Sequence, residues 1–183
     1  MPIQIGAKRE SDFADPIGML SDCHRRIEMF LNVLVRVTEV GSLTGETRSA
    51  FEAALRYFRE AAPKHTADEE ESVFPRLRAL GKPELAALLA QVDSLEEEHV
   101  CANRSHAEID RLGRLWLETG ALTAAQVAEL LAELRQLQDL YRHHIAMEDT
   151  EIFPAAKAAL PAEDRSAIGI EMAARRNLAT IAK

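Results

Sequence analysis

The sequence predicts an all-α protein, an up-down-up-down four-helix bundle closed by a short C-terminal helix. Three observations predict it. Apolar residues recur at three- and four-residue steps through four long segments, the breaks between the segments are short, and the apolar set is aliphatic, with 5% aromatics against 47% hydrophobic residues. An Ala- and Leu-rich set favours helices packed through aliphatic seams over sheets. Long helices joined by short connections are antiparallel neighbours. At 183 residues the chain reads as a single domain, 1–183, with the bundle at about 15–160 and a tail helix at about 162–182.

Asp15-Pro16 opens the first helix with a capping carboxylate followed by a proline where no amide hydrogen is needed. Met19, Leu20, Cys23, Ile27, Leu31 and Leu34 keep helical spacing, and Gly41 ends the run. After a linker at 41–45, the second helix carries the stripe Phe51, Leu55, Phe58, Ala62, His65, Glu69. Pro63 interrupts it, removing one backbone hydrogen bond, so a kink is expected just before His65.

Leu80-Gly81-Lys82-Pro83 stops one helix and starts the next. The third helix is expected from about Pro83 to Glu118, with Val92, Leu95, His99, Ala102, His106 and Ile109 in phase. Thr123-x-x-Gln126 forms a capping box for the fourth, whose stripe Leu130, Leu134, Leu137, Tyr141, His144, Glu148 repeats the steps of the second. Pro161 closes it. The tail, with Ile168, Met172 and Leu178, reads as a short helix packed on the outside.

A net charge of −8 and a pI near 5.3 offer no basic field to a polyanion, which argues against nucleic acid or an anionic membrane as partner. No stretch reaches the roughly 20 apolar residues of a transmembrane helix. No apolar run of signal-peptide type lies at the start, and Cys23 and Cys101 are too few for a disulfide framework. A cytoplasmic location is therefore expected, with both cysteines as buried, inert thiols.

The chemistry sits in two stretches. His65-x-x-x-Glu69 and His144-x-x-x-Glu148 each have Phe-Pro five residues after the glutamate, and they lie 79 positions apart (144−65). His and Glu four apart share one helix face. His24 and His99 occupy the inner stripes of the other two helices, 75 positions apart (99−24), so the chain reads as an internal duplication. His24 lies about 14 Å from its helix start and His65 about 15 Å from Pro75 at 1.5 Å per residue, which lets antiparallel helices place both imidazoles in one layer. Imidazole and carboxylate together suit Fe, Mn or Zn. The expected metal ligands are His24, His65, Glu69, His99, His144 and Glu148.

Neighbouring residues are expected to point elsewhere: Asp68, Glu70 and Asp149 by phase, and His143 because it is rotated about 100° from His144. Glu28, one turn after His24, could accept its outer N–H, although an exposed charge is the simpler reading. His106 reads as a core or interface histidine and Trp116 in the same way. Tyr141 is either core packing or a hydrogen-bond donor to a bound ligand.

This pattern, with its Phe-Pro trailers, resembles the hemerythrin-like (HHE cation-binding) family over about residues 15–160. The resemblance implies two Fe ions in a non-haem di-iron centre with an oxo or hydroxo bridge, Glu69 and Glu148 as bridging carboxylates and the imidazoles as terminal ligands; Mn or Zn are the alternatives. Oxygen-carrying members have a further His four residues after the third-helix ligand, where this chain has Asn103. The set of four His and two Glu is more similar to the repair-of-iron-centres subgroup. The implied function is binding of O2, NO, reactive oxygen or nitrogen species, or iron itself, for sensing, scavenging or iron delivery. Turnover of peroxide or nitric oxide at the same centre, or a metal-stabilised interaction bundle, are the competing expectations. Ferritin-like Glu-x-x-His occurs once, at Glu96-x-x-His99, too seldom for ferritin-type chemistry.

Overall fold

The Asp15 carboxylate accepts the Gly18 N–H at 3.2 Å and so caps α1 (Pro16–Val40); Gly41, at φ 70°, ends it by bonding back to the Val37 carbonyl. This structure, a computed structural model, describes residues 11–178. Thr44 caps α2 (Gly45–Glu60), and Thr47 returns a side-chain bond to the Thr44 N–H. The kink expected before His65 is a break at Ala61 (φ −103°, ψ −43°). From there α3 (Ala62–Asp68) restarts with Pro63 in its first turn, where the missing N–H costs no hydrogen bond.

Beyond α3 the rod takes one π-helical turn, Glu69–Val73, before α4 (Phe74–Ala79). The fourth rod does the same: α6 (Ala124–Met147), a π-helical turn at Glu148–Ile152, then α7 (Phe153–Ala159). In both, the N–H of the trailing Phe bonds five residues back, Phe74 to Glu69 and Phe153 to Glu148. The cause is the next residue. Pro75 and Pro154 supply no N–H and their rings press on the carbonyl four residues before them, and a widened turn makes room. Between these rods lie a 3-10 turn (Pro83–Leu85) and α5 (Ala86–Thr119), which Gly120 terminates at φ 77°. The Thr123–Gln126 capping box is formed as expected.

The four rods pack in a ring: α1 on α2, α2 on α5, α5 on α6, and α6 back on α1. Two apolar clusters fill the bundle. One holds Leu31, Leu34, Phe51, Leu112, Trp116, Leu130 and Leu134, and the other Leu20, Val73, Phe74, Leu77, Leu95, Ile152 and Phe153. Each such side chain contributes roughly 1.5–3 kcal/mol by leaving water. The histidine and glutamate stripes run between them, so the rigidity of both cores is imposed on the polar layer.

The tail helix α8 (Ala162–Arg175) packs on α1 and α3 as expected, with Ile168 and Met172 fully buried in the second cluster. It ends at Arg175, leaving Leu178 exposed; the remainder of the helix expected to 182 lies outside the described residues. Of the two thiols Cys23 is buried, whereas Cys101, on the outer side of α5, is exposed and corrects the expectation of two buried ones. No helix among the described residues is long and apolar enough to cross a membrane.

Candidate metal centre

All six residues singled out by spacing meet in the layer between the two cores, and each is only 0–4% exposed. His24 comes from the middle of α1 and His99 from the middle of α5. His65 and His144 come from α3 and α6 just ahead of the two π turns, and Glu69 and Glu148 are the first residues of those turns. Phe153 of the second trailer stacks on His24 with centroids 5.3 Å apart and planes at 12°, which sets the ring's orientation.

Each carboxylate spans two histidines on different helices. Glu69 places Oε1 at 3.0 Å from His65 Nε2 and Oε2 at 3.5 Å from His99 Nε2. Glu148 places Oε2 at 3.0 Å from His24 Nε2 and Oε1 at 3.4 Å from His144 Nε2. Ligand atoms of His24, His65, Glu69 and Glu148 lie within 4.8 Å of one another, and so do those of Glu69, His99, His144 and Glu148. The two groups share both glutamates.

These contacts are close but are not hydrogen bonds. Both oxygens of Glu69 and of Glu148, with Nε2 of His24 and of His144, are buried without a hydrogen-bond partner among the described residues. Leaving so many buried polar atoms unsatisfied is costly. Their ligand atoms instead cluster within 4.8 Å of one another in each group, as the donors of a cation do. The donor set therefore fits divalent metal ions.

The outer nitrogens explain how the rings are held. Glu70 accepts from His99 Nδ1 at 2.8 Å and Glu98 from His144 Nδ1 at 2.9 Å. Asp149 Oδ1 lies 3.1 Å from His24 Nδ1. An ionised carboxylate only accepts, so His99 and His144 carry their proton on Nδ1 and turn the Nε2 lone pair inward. Glu70 and Asp149 were expected to point elsewhere; they miss the inner stripe, but as neighbours of Glu69 and Glu148 they reach around to the outer edge of a ring on the adjacent helix. Asp68 likewise is wholly buried, against Arg175 and Arg176. Spacing arguments missed Glu70, Glu98 and Asp149. The signal was there, since an acid follows each motif glutamate and another precedes His99.

Charge in the layer is strained in both directions. Burial, then the carboxylates of Glu148 and Asp68, hold Glu69 well above the usual carboxylate range. Glu148 is just as buried, but the imidazoles of His144 and His24 outweigh that and keep it below its usual range. Burial opposes the charged form of His24 too, yet Asp149 and Glu148 raise it to about 9. Burial and the neighbouring His24 push His65 well down. Two buried carboxylates facing each other want positive charge between them.

The hemerythrin HHE cation-binding domain matches residues 15–156, a span that contains all six residues and both π turns. The chain belongs to that family. An uncharacterized protein of Haemophilus influenzae is similar throughout, 30% identical over 176 residues that make up 90% of this chain and 91% of the other.

In this hemerythrin-family chain the remaining candidates fall away from the layer of four histidines and two glutamates. His143 is exposed on the flank, as its rotation implied, and Glu28 is exposed rather than bonded to His24. Tyr141 and His106 face each other, O to Nε2 at 2.8 Å, so the phenol has a partner within the core. Both line a cleft of about 240 Å³ between α2 and α5 that His99 also lines. Asn103, one turn after His99, lines the same cleft.

Proposed function

We propose that this protein holds two iron ions between its four histidines and two glutamates, and uses them to bind O2, NO or reactive oxygen and nitrogen species, or to carry iron itself. The observation that supports this best is the pair of four-residue groups sharing Glu69 and Glu148. In that reading His24 and His65 serve one ion, His99 and His144 the other, and the two carboxylates serve both. When bound, such an ion pair supplies reversible binding or redox chemistry on small oxygen and nitrogen species.

The chain's own part is positional. Two apolar cores exclude water from the layer, outer carboxylates fix the rings of His99 and His144, and the cleft beside His99 gives a small neutral molecule a way in past Phe58, His106 and Tyr141. Binding without turnover, in sensing, scavenging or iron delivery, is the function assigned.

Elemental analysis of the protein made in iron-sufficient medium tests the first step, with about two iron ions per chain expected. Rapid mixing of the reduced protein with O2 or NO tests the second. A spectral change that reverses when the gas is removed supports a binder. Continuous consumption of the gas would make the protein an enzyme, and the absence of bound metal would leave a helical interaction module.

A further inference from the structure

The duplication that relates the two halves of the bundle also relates the groups that hold the imidazoles from outside, and there it breaks. Glu70 and Asp149 are 79 positions apart (149−70), and each serves the inner-layer histidine of a neighbouring helix, His99 and His24 respectively. Glu98 should have its counterpart 75 positions earlier (98−75), and the residue there is Cys23. Glu98 accepts from His144 Nδ1 at 2.9 Å. Cys23 does nothing equivalent for His65. Its sulfur lies 3.1 Å from Arg26 Nη2, and His65 Nδ1 is buried with no hydrogen-bond partner among the described residues.

The other ring on that side is also less firmly held. Asp149 Oδ1 is 3.1 Å from His24 Nδ1 but out of hydrogen-bond alignment, and the same oxygen accepts the Ser21 hydroxyl at 2.7 Å. His99 and His144 thus both donate an outer N–H to a carboxylate, whereas His24 shares one and His65 has none. A ligating imidazole whose outer N–H is taken by a carboxylate is fixed in tautomer and orientation and is the stronger base.

We propose that the two cation positions are inequivalent: the one served by His99 and His144 retains its ion, and the one served by His24 and His65 exchanges it. This rests on the reading of the six residues as a two-cation site. Cys23 in place of a carboxylate is the substitution that creates the difference.

Zinc, redox-inert and suited to the same donors, is the probe. Stripped full-length protein is titrated with Zn2+ against a chromophoric chelator, and crystals grown with one equivalent are examined by anomalous scattering. Two steps separated by at least about tenfold are expected, since loss of such an outer partner costs about 10–100-fold in affinity. The first equivalent should scatter from between His99 and His144. Glu98→Gln should weaken the tighter step by about tenfold and leave the looser one in place. Cys23→Ser, which supplies no carboxylate, should change neither step, and this variant also reports whether altering the α1 position disturbs folding. Two indistinguishable steps in the parent, an anomalous peak at His24 and His65, or a Glu98→Gln variant that weakens only the looser step would overturn the inference. A parent protein that takes up no zinc and no iron would instead overturn the two-cation reading beneath it, whereas two equal sites would leave that reading standing.

Discussion

Asp68 Oδ2 lies 2.6 Å from Arg176 Nη2, and Asp68 Oδ1 lies 3.0 Å from Arg175 Nη1. Asp68 is wholly buried and immediately precedes Glu69, so the end of α8 grips the chain where the π turn begins. Arg76, about two turns further on, extends the clamp to Glu171 at 2.8 Å, and the Ser72 hydroxyl donates to the same carboxylate. The C-terminal helix is thus a brace on one half of the histidine and glutamate layer.

Replacing both Arg175 and Arg176 by Ala should leave the Asp68 carboxylate buried and unpaired. Removing one side of a buried ion pair costs about 3–5 kcal/mol, and the low end applies because the arginines are partly exposed. Urea unfolding of the double variant should show a midpoint lowered accordingly, while an unchanged midpoint would mean that α8 docks through Ile168 and Met172 alone.

Glu148→Ala and His143→Ala separate ligand from neighbour. Glu148 contacts His24 and His144 with different oxygens, so its loss should empty both cation positions, as measured by elemental analysis after gel filtration. His143 differs by one position in sequence and is exposed, and its variant should retain the parent's metal content. Equal losses in the two variants would contradict the phase assigned to this helix.

How far the sequence could be read depended on the length scale of the interaction. Helix spacing alone brought His24, His65, His99 and His144 to one layer, because phase is a local property that the bundle preserves. It failed one step outward. Glu70 and Asp149 leave their own inner stripe to reach a ring on another helix, and the geometry between helices is not written in either stripe. The π turns were missed for a related reason: Phe74-Pro75 and Phe153-Pro154 were read only as trailers of the motif, whereas each proline makes the rod that runs through it widen one turn.

His106 should make folding stability depend on acidity. Burial lowers its pKa from 6.5 to about 4, so between those values the unfolded chain takes up a proton that the folded protein refuses. Stability is then fully present above 6.5 and falls as the pH drops toward 4, by up to about 3 kcal/mol from this group. His106→Phe, which keeps a ring against Phe58, should abolish that part of the slope. The check is the difference between parent and variant unfolding free energies at pH 7 and pH 5, and a constant difference would rule out a neutral His106 in the folded state.

Gly169 lies within α8, where replacement of Gly by Ala ordinarily stabilises a helix by about 1 kcal/mol. Here the opposite is expected. A methyl group built at Gly169 would stand 2.0 Å from the Phe13 carbonyl oxygen, and because that atom is backbone it cannot swing aside as a side chain would. The segment leading into α1 crosses α8 at this point, with Phe13 packed on the same cluster as Ile168 and Met172. Gly169→Ala must therefore lift the leader or tilt the helix, and overpacking of this kind costs about 1–3 kcal/mol. Thermal unfolding should show a lower midpoint for Gly169→Ala, whereas an unchanged or higher one would mean that helix propensity outweighs the crossing.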